Sequence, residues 1–307
     1  SEKETIMDMG PIILLIFVDA VHLSCQHTFQ EFPYFTTHPD AFQKIVDELY
    51  SNGRLDENIE LSDDPSKLLN GNFSFTEITA SRDFSRFIQT VDSPVTNNDK
   101  AFSAYQHLQR TLMTTDLMKR ALYYLEYFGH DKCNNAEDCL TFVQSYWFDE
   151  YSVDSFKKIE MKLFKLHSFF KGISLWRINT PFIDNFMGFP EKNDVGEINH
   201  WISLYERHRN NQLVITKKYP ILSLENRQVG AKIMVKRSDS QVNMLKTYLL
   251  GTKIEFDLAL FTLCDLLFSS TGYCHFHIMG VKFTMVLFHR KQKNFYLPEI
   301  HKIRSQV

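Results

Sequence analysis

The chain has 307 residues, 44% of them hydrophobic and 23% charged, enough to bury a substantial core and too apolar for wholesale disorder. A net charge of −3 gives no global case for a nucleic-acid partner, so such a role falls to a local patch. The 11 glycines form no phosphate-binding loop, and the irregular spacing of Cys25, Cys133, Cys139, Cys264 and Cys274 suits a reducing compartment better than a disulfide framework.

In chain order, "PIILLIFVDAVHL" (11–23) is short, contains Asp19 and follows the mixed-charge "SEKETIMD". It reads as a buried strand in preference to a signal peptide or membrane span. "DAFQKIVDELYSNG" (40–53) predicts a helix with Phe42, Ile45, Val46 and Leu49 on one face, Asp40 as N-cap and Gly53 at its end. Residues 54–98 read as loops around short segments. A long helix is expected from Asp99 to Phe128, with Leu108, Leu112, Leu117, Leu122 and Leu125 apolar and Gly129 closing it.

The period then changes toward two. "KLFKLHSFF" and "ISLWRI" (162–177) predict a hairpin, and "NQLVITKKYPIL" and "AKIMVKR" two further strands. "SQVNMLKTYLLG" and "EFDLALFTLCDLLFSS" predict helices, and "CHFHIMGVKFTMVLFHR" a final hairpin turning at Gly280. The expected class is α+β (mixed α/β), one domain over 1–307 with a central mixed sheet flanked by helices.

No G-x-S-x-G, H-E-x-x-H, P-loop or paired C-x-x-C is present, so the common motif-bearing enzyme classes get no support. His275 and His277 share one face of a strand beside Cys274, but a four-coordinate zinc site needs further ligands. A strand face is the better account, and "HDKC" (130–133) is a helix-end loop. Arg207, Arg209, Lys217, Lys218, Lys232, Lys236 and Arg237 fall on three consecutive segments. The bland account of these cations is a solvated sheet edge kept soluble by lysines.

The segment order "FMGFPEKNDVGEINHWISLYERHRNNQLVITKKYPI", then "AKIMVKRSD", then "LKTYLLGT" resembles the DXO-type family of RNA 5′-end decapping exonucleases. That family carries an aromatic-Met-Gly-aromatic turn ending in Glu, a strand ending Glu-x-Asp, a strand reading Glu-x-Lys, an upstream Thr-Trp-Arg-Gly and a late aromatic-Leu-Pro. "DCLTFVQ" (138–144) and "HRKQKNFYLPEI" (289–300) stand for the outer two, and the order is collinear over roughly 115–305. Between Gly251 and Phe256, where the family has additional strands, the chain passes straight into the next helix.

At the family's catalytic positions stand Val143 for Arg, Lys192 for Glu, Lys218 and Pro220 for Glu-x-Asp, and Met234 for the last Glu; the Lys is kept as Lys236. The family's hydrolysis uses carboxylate-bound divalent cations, and these residues supply none. The resemblance therefore implies an inactive relative without metal or cofactor, a scaffold for RNA 5′ ends or for a protein. Its decay pattern is that of a nuclear germline member acting with Deadlock and Rhino on piRNA-source transcripts, a regulator of their transcription and protection. The alternative is an active metal-dependent pyrophosphohydrolase or exoribonuclease with displaced carboxylates, drawn from Glu191, Asp194, Glu197 and Glu225. Single-stranded RNA is expected at Lys217, Lys218, Lys236 and Arg237. A Deadlock-like partner within a Rhino-containing complex is expected at exposed aromatics, in "FPYF" (32–35) or at Tyr146 and Phe148 in "SYWFDEY", and no membrane contact is expected.

Overall fold

Apolar residues three and four apart build the N-terminal half. The computed structural model describes residues 39–55, 59–64, 66–70, 75, 79–93, 98–149, 180–188, 198–223, 225–238, 242–269, 271–292 and 295–306. Helix α1 (Pro39–Gly53) buries Phe42, Ile45, Val46 and Leu49, as its pattern requires. Helix α2 (Thr79–Asp92) stands where loops were expected. Its buried Ala80, Phe84, Phe87 and Ile88 keep helical spacing, but the polar residues between them mask the stripe.

The expected long helix is two helices, α3 (Asn98–Met113) and α4 (Asp116–Tyr127). Thr115 leaves helical geometry, and its side chain accepts the Met118 amide N–H as a cap. Gly129 follows α4 at φ +72°, the left-handed conformation that a terminating glycine supplies. Helix α5 (Ala136–Phe148) begins at Asn135, whose side chain accepts the amides of Glu137 and Asp138.

The described strands lie in the C-terminal half. A π-helical turn (Ile183–Met187) and helix α6 (Trp201–Arg209) precede β1 (Leu213–Leu222), β2 (Gln228–Arg237) and β3 (Met244–Leu249), which pair antiparallel in that order. Helix α7 (Ile254–Phe268) leads to a second antiparallel sheet of β4 (Tyr273–Ile278), β5 (Val281–Gln292) and β6 (Phe295–Gln306). The α+β class stands, but among the described residues the expected single mixed sheet is two antiparallel ones, because short turns join neighbouring strands within each and α7 separates the two. Met279 and Gly280, both at positive φ, make the predicted tight turn of the last hairpin.

One predicted helix is a strand. In β3, Lys246 and Tyr248 face inward opposite Ile233 and Ala231, so pairing overrides the helical propensity of Met, Leu and Lys. The expected strand at 11–23, the hairpin at 162–177, and "FPYF" lie outside the described residues.

Helix α7 packs against α1, α2, α4 and β4. Gly53, the last residue of α1, crosses it so closely that a Cβ there would lie 2.4 Å from that of Phe256. The straight entry into α7 is fixed by backbone bonds from Leu55 N–H to Gly251 O and from Lys253 N–H to Gly53 O, both 2.7 Å. The rings of Phe148, Phe182, Phe186 and Phe261 stack in succession at 5.0 Å, joining α5, the π-helical turn and α7.

The expectation of reduced thiols is corrected. Cys133 pairs with Cys139, and Cys264 with Cys274. Irregular spacing in sequence becomes adjacency once α5 folds back on its own entry loop and β4 runs alongside α7. Such pairs persist in oxidising compartments and are rare in cytosol and nucleus. The Cys264–Cys274 bridge closes a loop with a sequence separation of 10. Cys264→Ser should therefore cost about 2–3 kcal/mol, read from the urea midpoint, and reducing agent should lower the wild-type midpoint toward that of the variant.

Candidate functional site

Strands β1, β2 and β3 carry no Asp or Glu, and six of their residues are cationic: Lys217, Lys218, Lys232, Lys236, Arg237 and Lys246. Period-two alternation sorts them. On β2, Val229, Ala231, Ile233 and Val235 are buried, and Lys232, Met234 and Lys236 lie between them at half exposure. Cross-strand register then defines the solvent face in rows: Tyr219, Lys232 and Thr247; Lys217, Met234 and Leu245; Val214 and Lys236.

The register separates neighbours that the sequence groups. Lys217 pairs with Met234 on the solvent face, whereas Lys218 pairs with Ile233 on the other. A register shift between Ile215 and Lys217 sets this phase. The Lys218 ammonium donates to three backbone carbonyls of the 62–67 loop, those of Ser62, of Asp64 at 2.8 Å and of Lys67 at 2.7 Å. Desolvation lowers its pKa, opposed by Asp64 and Asp63. Lys246 is buried and donates to Ile198 O at 3.0 Å and Asn199 Oδ1 at 2.8 Å. Lys217, Lys232 and Lys236 have no such partners among the described residues.

Of the six positions read as a decayed pocket, the five among the described residues do not converge. Val143 is fully buried in α5, Pro220 is exposed on the edge strand β1 opposite Ala231, and Lys218 is tied to the 62–67 loop. Met234 and Lys236 do share the solvent face with Lys217, and Lys192 lies outside the described residues. Arg237 ends β2 opposite Leu213. Sequence reasoning left Lys232 and Tyr219 out of the RNA-binding set, although the alternation in "AKIMVKR" already places Lys232 in phase with Lys236.

The aromatic docking residues are corrected. Phe148 is 4% exposed, stacked on Phe182. Tyr146 packs on the core, with its hydroxyl on Asp265. Tyr146 is turned toward α7 and Phe148 toward Tyr105 of α3 and Phe182.

Acid–base groups cluster elsewhere, around the start of α6. His200 caps that helix: its Nδ1 accepts the Ile202 amide N–H at 3.1 Å, and its Nε2 lies 3.4 Å from Asp257 Oδ2. Burial pushes the His200 pKa down to about 3 and raises those of Asp257 and Glu255, so neutral forms are favoured. An Nδ1 that accepts a hydrogen bond cannot also be protonated, which agrees. Next along α6, Glu206 accepts from Ser85 and Gln89 of α2, and Arg207 donates to Gly188 O at 3.1 Å and faces Asp92. These buried groups anchor helices and are shut off from solvent. On β4, His275 bonds Thr284 and His277 bonds Gln43. Among the described residues no group of three or more His, Cys, Asp or Glu could hold a metal ion. No described helix is long and apolar enough to cross a membrane.

No family model matches the chain, and no curated protein matches it in sequence. Among solved structures, that of XendoU, a splicing-independent snoRNA-processing endoribonuclease, aligns with a TM-score of 0.58 at 12% identity, covering 84% of this chain and 96% of that one. The chain therefore shares the fold of an RNA-processing nuclease. That neighbour is an endoribonuclease, where the sequence resemblance pointed to exonucleases.

The His200 shift fixes the sign of a pH effect. With its folded-state pKa below the unfolded value near 6.5, His200 contributes stability above that pH and loses it as pH falls toward 3. Asp257 and Glu255, raised by burial, act oppositely, lowering stability as pH rises above about 4. His200→Gln removes only the first contribution. The stability difference between wild type and variant should shrink by up to about 1.4 kcal/mol per pH unit from 6.5 to 4 and stay flat above 7, as measured by urea denaturation.

Proposed function

We propose that the chain is a catalytically inactive protein on an RNA-processing nuclease fold, working as a binding module for RNA, for a protein partner, or for both. The observation that carries this reading is the acid-free sheet. Its three strands present six cations and no carboxylate, so they offer no anionic oxygen to a catalytic divalent ion but a field that suits a polyanion. The likeness to an endoribonuclease favours the competing reading of an active enzyme, and one assay separates them.

A finer form of the proposal comes from the resemblance in sequence: a decapping-exonuclease relative that scaffolds RNA 5′ ends in the nucleus, with Deadlock-like and Rhino-like partners on germline piRNA precursors. Its support is the segment order over roughly 115–305 and the residues at the family's catalytic positions. The two disulfides pull against a nuclear setting. Differential alkylation of protein taken from its native source decides: free thiols at Cys264 and Cys274 support the nuclear scaffold, and bridged ones reject it.

For catalysis, the substrates are 5′-monophosphate, 5′-triphosphate and unmethylated-cap RNA, together with an internally labelled single strand, in magnesium or manganese and in chelator. The expected result is no turnover on any of them. Metal-dependent turnover that disappears in Glu191→Gln would establish the enzyme with displaced carboxylates and end the inactive reading.

A further inference from the structure

We infer that the solvent face of the first sheet is a binding track for single-stranded RNA, held electrostatically by Lys217, Lys232 and Lys236 and by base stacking on Tyr219. The inference rests on the binding-module reading and gives it a surface and a ligand class.

Four observations converge on this face. First, its three strands hold no carboxylate, and the acidic residues that act on Lys218, Asp64 and Asp63, do so on the opposite side of β1. Second, the sheet's cations divide into engaged and unengaged groups. Lys218 and Lys246 donate to carbonyl oxygens, whereas the exposed Lys217 and the half-buried Lys232 and Lys236 make no hydrogen bond or ion pair among the described residues. Third, the spacing is regular. Lys232 and Lys236 are about 13 Å apart along one strand, and Lys217, on the neighbouring strand opposite Met234, is about 8 Å from each. Fourth, Tyr219 is 45% exposed and stands directly opposite Lys232, with Val214 and Leu245 also exposed on the same face.

A cationic surface with aromatic and aliphatic side chains between the charges is the chemistry of single-strand binding: lysines follow the phosphates and a ring accepts a base. An acidic protein segment would use the lysines but gains nothing specific from a tyrosine positioned to stack. RNA is therefore the favoured occupant, and an acidic partner becomes an outcome of the test.

The probe is a fluorescein-labelled oligouridylate of about 12 nucleotides, within the range one domain covers, titrated with the full chain from about 50 to 200 mM salt by anisotropy. Three phosphate contacts give a log–log slope of about −2, so affinity should fall roughly 20-fold across that range. Lys217→Gln, Lys232→Gln and Lys236→Gln combined should flatten the slope and weaken binding at least tenfold at low salt. Tyr219→Ala should weaken it about fivefold or more at an unchanged slope. Lys218→Met, which removes a lysine tied to the 62–67 loop, should leave both affinity and slope unchanged. All four substituted positions on the face are exposed or half-exposed, and preserved thermal melting confirms the fold of each variant.

Equal affinity and slope in the triple variant would overturn the track, leaving RNA, if bound, on another surface. No RNA binding by wild type alongside tight binding of labelled polyglutamate would also overturn it, in favour of an acidic protein. Neither result touches the inactive binding-module reading, which fails only if the chain turns RNA over.

Discussion

Helix α7 has no solvent face: 13 of its 15 residues are buried, and it meets helices α1, α2 and α4 and strand β4. A helix apolar on all sides is stable only when enclosed, and the other elements take their positions from enclosing it. Gly53 exists because α1 must end against Phe256. The aromatic stack from Phe148 to Phe261 brings α5 and the π-helical turn onto one side, and the Cys264–Cys274 bridge fastens β4 alongside. Burial shifts the ionisable groups at the entry to α7 toward their neutral forms. Asp257 and Glu255 have pKa values raised by burial, and burial lowers that of the His200 facing Asp257, whose Nδ1 also accepts the helix-capping bond.

Enclosing α7 determines what the rest of the surface is free to do. The first sheet turns one face of β2, from Val229 to Val235, inward, and the lysines on that side are drawn into structural roles: Lys246 holds the Ile198–Asn199 segment before α6, and Lys218 gathers the 62–67 loop. Cations on the other side have no structural work among the described residues. A net charge of −3 thus conceals a local surface of one sign, because the balancing acids lie off these three strands. The fold is one that XendoU shares, and the proposed role uses the acid-free face of the first sheet to hold a polyanion.

Much of this arrangement was legible in sequence, and the failures have physical causes. The α1 stripe of Phe42, Ile45, Val46 and Leu49, the Met279–Gly280 turn and the alternation along β2 are local patterns, and local patterns survive folding. Helix α2 was hidden because its exposed positions are strongly polar, which reads as loop. Strand β3 consists of residues that favour helices alone and is a strand only because β2 lies beside it. The aromatics at 146–148 looked like a docking surface because sequence cannot show which face of α5 meets α7. For the site, Lys217 and Lys236 share the solvent face, but Lys218 could not be separated from Lys217, since a register shift one residue upstream decides which of them faces solvent. Cysteine pairing depended on contacts that spacing does not reveal.

Two classes of lysine coexist on one sheet, one engaged in the fold and one proposed to meet RNA. Acetylation of the native chain with a small amine-reactive reagent, read by mass spectrometry with and without single-stranded oligouridylate, tests it residue by residue. The account predicts that Lys217, Lys232 and Lys236 are modified readily in the free protein and protected by RNA, while Lys218 and Lys246 are modified slowly in both. Rapid modification of Lys218 in the free protein, or equal labelling of the other three with and without RNA at saturating concentration, would contradict it.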